Sequence, residues 1–331
     1  MRCAVIGGGA WGTALADLLA SNGHETVIWA YERDVVASIN ERHVNDRFLR
    51  GATLALGLRA TAEQREALDG AALVVYATPS HHLRRIARES AGCVGRNAIL
   101  TVASKGIERG TLALMTRVIS DEVRGRPVVG ISGPSFAAEV AARQPTAIVA
   151  ASEDESAARR AQEALSNSSF RVYTHDDLIG VELGGALKNV MAVATGIVEG
   201  VGLGFNSRAG LITRGLHEMT TLGVALGAKA RTFAGLAGVG DLVLTCTGAL
   251  SRNRALGIEI GKGHSLEEAL AGKETVAEGV MTTQSALELA TRHDVDMPIV
   301  QMAHRILFGG HPARDAVPEL MARELRAEQD L

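Results

Sequence analysis

Lys188 and Asn189 stand side by side in GGALKNV, residues 184–190, an otherwise small and apolar helical run. On a helix Lys188 shares its face with Gly184 and Gly185 behind it and with Ala192 and Thr195 ahead, so small residues flank the ammonium. Two interior glycines cost about 1 kcal/mol each relative to alanine, which makes sense where another backbone or a ligand must come close. A lysine desolvated there and set near a second cation such as Lys105 has its pKa lowered, which suits it to proton transfer. The plainer alternative is a lysine whose stem crosses apolar surface while its charge reaches water.

Further along, GVGDL places Asp241 directly after a glycine turn, where it could orient a lysine or a substrate hydroxyl, or simply cap a helix. SRNR follows at residues 251–254. Ser251 can cap a helix whose first turn then carries Arg252 and Arg254, yet cations at a helix N-terminus oppose the macrodipole. An anion reverses that penalty, and a phosphate held by helix N–H groups and a bidentate arginine accounts for the arrangement. The alternative is a pair of merely solvated arginines.

A second kind of chemistry begins the chain. Gly7, Gly9 and Gly12 form G-x-G-x-x-G between a first apolar strand and a first helix. In that position the glycines permit a tight turn and a close backbone approach to a dinucleotide pyrophosphate, whose charge the helix N-terminus stabilises. Ala10 and Trp11 would touch the cofactor mainly through their backbone. ATPS around Pro79, SKG around Lys105 and ISGPSF with Gly133 and Ser135 fall at what should be carboxyl ends of strands, where open α/β sheets bind ligands. About 20 residues beyond the glycine motif, where a carboxylate accepts from the ribose 2′-OH of NAD and repels the 2′-phosphate of NADP, stands Glu32. Arg33 beside it is a competing phosphate partner.

These residues need elements to hold them. CAVIG, ETVIW, ALVVYAT, AILTVAS, VVGIS, TAIVAA and FRVYT are apolar, β-branched runs separated by helical patterns, which implies a parallel sheet covered on both faces. After Thr174 the strand-like runs largely stop and long glycine-punctuated helices follow. The expected organisation is therefore an α/β Rossmann-type dinucleotide-binding domain over residues 1–180 and an all-helical domain over residues 181–331.

The 331 residues are 47% hydrophobic, enough for full cores, and the formal net charge of −3 gives no broad basic field for nucleic acid. Cys3, Cys93 and Cys246 are scattered without metal spacing, so no metal site is expected and a reducing compartment is. The chain runs from Met1-Arg2 straight into a short strand, which points to the cytoplasm. The apolar segment from Leu178 to Leu203 is interrupted by Glu182, Lys188 and Glu199 and reads as a core helix rather than a membrane span.

Taken together, GGGAWGTALA, ASKGIE, SGPSFAAEV, GVELGGALKNVMAVA, LITRGLHEM, GVGDLVLTCTGALSRNR and VAEGVMTT resemble, over nearly the whole chain, the bacterial NAD(P)-dependent sn-glycerol-3-phosphate dehydrogenases. The resemblance implies reversible hydride transfer between NAD(P)H and dihydroxyacetone phosphate, giving sn-glycerol 3-phosphate for glycerophospholipid synthesis. It implies Lys188 as the catalytic proton-transfer residue and Lys105, Gly133, Ser135, Asp241, Ser251, Arg252 and Asn253 as substrate positions. For the cofactor it implies Ala10, Trp11, Tyr31, Lys105, Ala137, Arg252, Val276 and Glu278. It also implies a helical second domain that takes part in a homodimer. One departure is Tyr31-Glu32, where His or Arg is often found, so NADH is expected to serve at least as well as NADPH. A related hydroxyacid-type dehydrogenase is the nearest alternative, which SRNR and its flanking motifs disfavour. A non-catalytic nucleotide sensor is disfavoured by the presence of both Lys188 and Arg252.

Overall fold

Runs such as CAVI and LVVY are apolar at every position, which is what a strand needs when both of its faces are covered. The computed structural model describes residues 1–272, 277–325, 327 and 328, and in it these runs become neighbouring strands of one sheet. The chain divides into two compact units, residues 1–105 with 113–182 and residues 106–112 with 183–331.

The first unit contains strands β1 (Arg2–Ile6), β2 (Glu25–Trp29), β3 (Val44–Asn45), β4 (Leu49–Thr53) and β5 (Arg59–Thr61). It continues with β6 (Leu73–Tyr76), β7 (Ile99–Val102), β8 (Val128–Ser132), β9 (Thr146–Ala151) and β10 (Phe170–His175). Its helices are α1 (Ala10–Ser21), α2 (Arg33–Arg42), α3 (Gln64–Leu68), α4 (Ser80–Ser90), α5 (Met115–Glu122), α6 (Ala137–Ala141) and α7 (Glu155–Leu165). Eight strands make one sheet in the order β10-β9-β8-β7-β6-β1-β2-β5, while β3 and β4 form a separate antiparallel ribbon. Alternate residues of each inner strand feed different cores. Leu73 and Val75 join Val5, Ile28 and Ile99 on one face, whereas Val74 and Tyr76 join Ala4, Ile6 and Leu100 on the other. From β1 the chain winds outward through β2 to β5, then returns to β6 and winds the opposite way through β7 and β8. The carboxyl ends of β1 and β6 therefore flank the point of reversal, where a doubly wound sheet offers a crevice.

The expectation of a parallel sheet holds for most of it but not for its far edge. β8 and β9 pair antiparallel, with Gly130 opposite Ala151, and β10 then runs parallel to β9. The connection from β8 to β9, residues 133–145, carries one short helix, α6.

The division between the units falls inside α8 (Leu178–Gly200), and every regular element described after it is helical. These are α9 (Phe205–Ala225), α10 (Ala230–Phe233), α11 (Asp241–Thr247), α12 (Arg252–Gly261), α13 (Leu266–Leu270), α14 (Glu278–Arg292), α15 (Pro298–Gly309) and α16 (Ala313–Met321). By length and composition α8 could cross a membrane, but 94% of its apolar 18-residue window is buried in the protein, as in a core helix. Within the second unit α8 and α12 cross in near backbone contact. A Cβ placed on Gly196 would lie 2.2 Å from the Arg254 carbonyl oxygen, and one on Gly257 would lie 2.1 Å from that of Val193. Gly200 and Gly261 repeat the arrangement one turn on, at 2.2 and 2.3 Å from facing carbonyls. No larger residue permits that approach, and it brings the N-terminus of α12 down against the lysine helix.

Candidate functional site

In the first unit the glycine motif lies between β1 and α1. Gly7 has φ +129° and donates its N–H to the Trp29 carbonyl at 3.0 Å; a Cβ on it would meet the Ala77 carbonyl oxygen at 2.7 Å. Gly12 is tighter still, since its Cβ would come within 2.0 Å of the Gly7 oxygen. Gly9 differs: it is the N-cap of α1, and nothing lies within 4 Å of where its Cβ would be. Two glycines therefore shape the turn, and the third leaves open the space in front of a helix N-terminus. Polar atoms around the same sheet end lack protein partners. The buried Trp11 Nε1, Thr78 Oγ1 and Ser132 Oγ have none among the described residues. An open helix N-terminus with unpaired donors nearby fits a dinucleotide pyrophosphate and its sugars.

The other residues expected here follow strand ends of this unit. Tyr31 is 75% exposed beyond β2, and Glu32 is the N-cap of α2 without a capping hydrogen bond from its side chain. Lys105 follows β7, where Ser104 donates to the Thr78 carbonyl at 2.6 Å and so ties the ends of β6 and β7 together. Gly133, at φ +143°, ends β8; its Cβ would lie 2.8 Å from Ile148 Cα. Ser135 donates back to the Gly133 carbonyl at 2.9 Å, and Ala137 opens α6. Ala10 opens α1 and is partly buried against the core.

The second unit gathers the charged candidates. Lys188, 8% exposed on α8, donates from Nζ to Oδ1 of Asp241, which is fully buried as the first residue of α11. An anion at that position is favoured by the helix macrodipole. Thr245, one turn later, donates to the Asp241 main-chain oxygen at 2.6 Å. Of the two neighbours expected for the lysine, a cation such as Lys105 and the Asp241 carboxylate, the one it meets in its own unit is Asp241, which favours the charged ammonium, opposite in sense to a neighbouring cation. Gly184 is explained by backbone approach, because its Cβ would lie 2.3 Å from the Ala237 oxygen.

Asn189 turns to a different partner. Its Oδ1 accepts from Asn253 Nδ2 at 3.0 Å, and Asn253 Oδ1 accepts from the Gly279 N–H at 2.9 Å. Those bonds link α8, α12 and α14 and leave Asn253 one N–H and one lone pair for other partners. Ser251 caps α12 as its position predicts, accepting from the Arg254 N–H at 3.2 Å. The two arginines that follow separate in role. Arg254 makes a two-pronged contact with Glu199, Nε to Oε2 at 3.0 Å and an amino nitrogen to Oε1 at 2.7 Å. The dipole penalty assigned to both arginines is therefore relieved for Arg254 by the protein itself. Arg252 is exposed at the very start of α12, within reach of the charge of Glu278. Glu278 is the first residue of α14, and Val276, expected at the cofactor, lies outside the described residues. Glu199, Thr245 and Asn189 were not among the residues expected at the site. Only Thr245 had a local signal, its i+4 spacing from Asp241.

Residues 2–158 match the family described as NAD-dependent glycerol-3-phosphate dehydrogenase N-terminus, and residues 177–318 match its C-terminus. A glycerol-3-phosphate dehydrogenase [NAD(P)+] of Geobacter sp. (strain M21) is 51% identical over 330 residues, covering 99% of this chain and 98% of that protein. Its counterpart in Trichlorobacter lovleyi is 52% identical over 333 residues, 99% of this chain and 100% of that protein. Among solved structures, glycerol-3-phosphate dehydrogenase from Coxiella burnetii superposes with a TM-score of 0.93 at 39% identity, covering 97% of this chain and 98% of that one. A ketopantoate reductase from Ralstonia eutropha, at 14% identity and a TM-score of 0.62, shares the fold alone.

Proposed function

The chain belongs to the NAD(P)+-dependent glycerol-3-phosphate dehydrogenases, oxidoreductases acting on a CH–OH group, and from that premise we propose how its residues divide the reaction. The reaction is reversible hydride transfer between NAD(P)H and dihydroxyacetone phosphate, giving sn-glycerol 3-phosphate, with glycerophospholipid synthesis as the use of the product. When bound, the nicotinamide cofactor supplies or accepts the hydride. The chain's own residues do the rest. The first unit, residues 1–180 in the proposed domain division, holds the dinucleotide through the N-terminus of α1, with Gly7, Gly9, Ala10, Trp11 and Gly12 around the pyrophosphate, and Tyr31 and Glu32 towards the adenosine ribose. Lys105, Gly133, Ser135 and Ala137 complete that edge.

In the helical domain, residues 181–331, Lys188 gives a proton to the substrate oxygen in reduction and takes it back in oxidation, with Asp241 fixing the ammonium in place. Arg252 pairs with the substrate phosphate, assisted by the α12 N-terminus, Ser251 and Asn253, and with Glu278 and Val276 it borders the cofactor. The observation that carries this reading is the buried Lys188–Asp241 contact, a proton donor on α8 held by a carboxylate of α11, in a unit that also presents Arg252 at the N-terminus of α12. Charge stabilisation of this kind speeds a reaction to the extent that it strengthens in the transition state.

The test is steady-state oxidation of NADH and of NADPH with dihydroxyacetone phosphate as the only acceptor. Turnover with neither cofactor would end the proposal. Arg252→Ala is expected to lower the ratio of kcat/KM for dihydroxyacetone phosphate over unphosphorylated dihydroxyacetone by about 100-fold, since a charge-assisted two-pronged contact is lost. An unchanged ratio would move the phosphate to another cation, Lys105 first. A homodimer built through the helical domain and a cytoplasmic location complete the proposal. Light scattering and cell fractionation test them, and the three cysteines, all free, support a reducing compartment.

A further inference from the structure

We propose that Glu199 is the positioning residue of the phosphate site, fixing how α12 presents Arg252 by holding Arg254 against α8. The proposal rests on the reading that Arg252 meets the substrate phosphate. Three helix ends converge on Glu199. It lies in the last turn of α8, where a negative charge is disfavoured by the helix's own dipole. Arg208 and Arg254 lie in the first turns of α9 and α12, where positive charges are disfavoured in the same way. Their contacts reverse all three penalties: Arg254 grips both Glu199 oxygens, and Arg208 donates to Oε2 at 3.0 Å. The Arg254 and Arg208 side chains are only 15% and 18% exposed, so this is not a loose surface pair.

The need for such a clamp follows from the helix crossing it closes. Arg254, Gly257 and Gly261 are spaced three and four residues apart and so share the stripe of α12 that lies on α8. Arg252, two residues before Arg254, is on a different side. The crossing is lined by Gly196, Gly200, Gly257 and Gly261, which bring the backbones together but offer no side chains of their own, while Val193 and Ile197 of α8 and Leu256 and Ile260 of α12 share one apolar cluster. Apolar burial is non-directional, so it opposes separation and leaves rotation and sliding to be fixed by polar anchors. The polar anchors found at this end are Asn253 on Asn189 and Arg254 on Glu199, and the Glu199 contact alone is charged and two-pronged. Releasing it lets α12 turn about the glycine seam and carries Arg252 with it. It also frees a second guanidinium two residues from the phosphate-binding one.

Glu199→Gln is therefore expected to raise KM for dihydroxyacetone phosphate about tenfold and to lower discrimination against unphosphorylated dihydroxyacetone in proportion, with a smaller rise in KM for NADH, which Arg252 also borders. Arg254→Met should do the same, and the double variant no more than the worse single one, because both act through one contact. Should Glu199→Gln not fold, Glu199→Asp, which keeps the charge one methylene short, is expected to show a smaller rise in the same KM at an unchanged melting temperature. Three results overturn the proposal: an unchanged KM for dihydroxyacetone phosphate in a folded variant, an equal rise in KM for NADH, or multiplying effects in the double variant. Arg252→Ala measured in parallel separates the two layers. If it abolishes phosphate discrimination while Glu199→Gln spares it, the positioning role alone fails; if Arg252→Ala itself spares discrimination, the phosphate reading and the clamp fall together.

Discussion

A lysine serves proton transfer only if its ammonium is held at one place and its charge is not lost on burial. Asp241 meets both conditions for Lys188, because a carboxylate at a helix N-terminus is itself stabilised there, and Thr245 Oγ1 lies 3.4 Å from the same Oδ1 that Lys188 meets. Lys188→Met, close in volume but without the proton, is expected to lower kcat by about 100-fold or more. Affinity for NADH, measured by fluorescence titration, should change little. A folded Lys188→Met protein with near wild-type turnover would remove the lysine from the mechanism. Glu32 bears on a second prediction at this scale. Its carboxylate, at the head of α2, offers an acceptor to a ribose 2′-OH and a like charge to a 2′-phosphate, with Arg33 pulling the other way. Both cofactors are expected to work, NADH at least as well as NADPH, and Glu32→Arg should shift kcat/KM towards NADPH. A strong wild-type preference for NADPH that Glu32→Arg leaves untouched would show that this carboxylate does not read the ribose.

At the scale of elements, the glycines make opposite predictions although they stand in one motif. A methyl on Gly12 would be driven into the Gly7 carbonyl, so Gly12→Ala has to push α1 away from β1 and should lose about 1–3 kcal/mol of stability. A methyl on Gly9 meets nothing, and its φ of −68° suits alanine. Gly9→Ala should therefore melt within a degree or two of wild type, yet bind NADH about tenfold more weakly, because the new methyl stands where the pyrophosphate approaches the helix N-terminus. Calorimetry and a binding titration on the two variants separate turn from ligand. Equal NADH affinity in Gly9→Ala and wild type would place the pyrophosphate elsewhere. The motif was legible because its spacing is local: Gly7 and Gly12 answer to the backbone, and Gly9 leaves the helix N-terminus open.

At the scale of the whole chain, what the sequence displayed was whatever repeats locally. LVVY announced a strand because both sheet faces are buried, and the glycine-punctuated run from Leu178 onward announced helices. The direction of β9 was not legible, since strand composition does not record which way a strand runs. Nor was the β3–β4 ribbon, whose strands of two and five residues include exposed Arg50 and Gly51. Contacts between distant residues were at most half legible: Asp241 could be read as orienting a lysine, though no periodicity tied it to Lys188, 53 positions away, and nothing pointed from Glu199 to Arg254, 55 positions on. Glu218 shows the same limit and yields a prediction about global stability. From α9 its buried carboxyl accepts the Ile299 and Val300 N–H groups at 2.8 and 3.3 Å, capping α15 across 81 positions where Met297, the local N-cap, has no side chain to do so. Burial pushes this carboxyl up to about 8, against the two N–H groups and Arg214, which pull it down, and with Asp296 adding to the rise. A carboxyl raised by folding binds a proton more tightly in the folded state. Its contribution to stability is therefore complete below the ordinary value of 4.5 and is lost as pH rises from there through about 8. The melting temperature should fall from pH 5 to pH 9 less steeply in Glu218→Gln than in wild type, because the amide has no proton to lose while its oxygen still accepts one of the two N–H groups. Calorimetry at closely spaced pH values gives the comparison. Two parallel curves would mean that Glu218 keeps the same protonation state folded and unfolded across that range, and that its role is confined to capping α15.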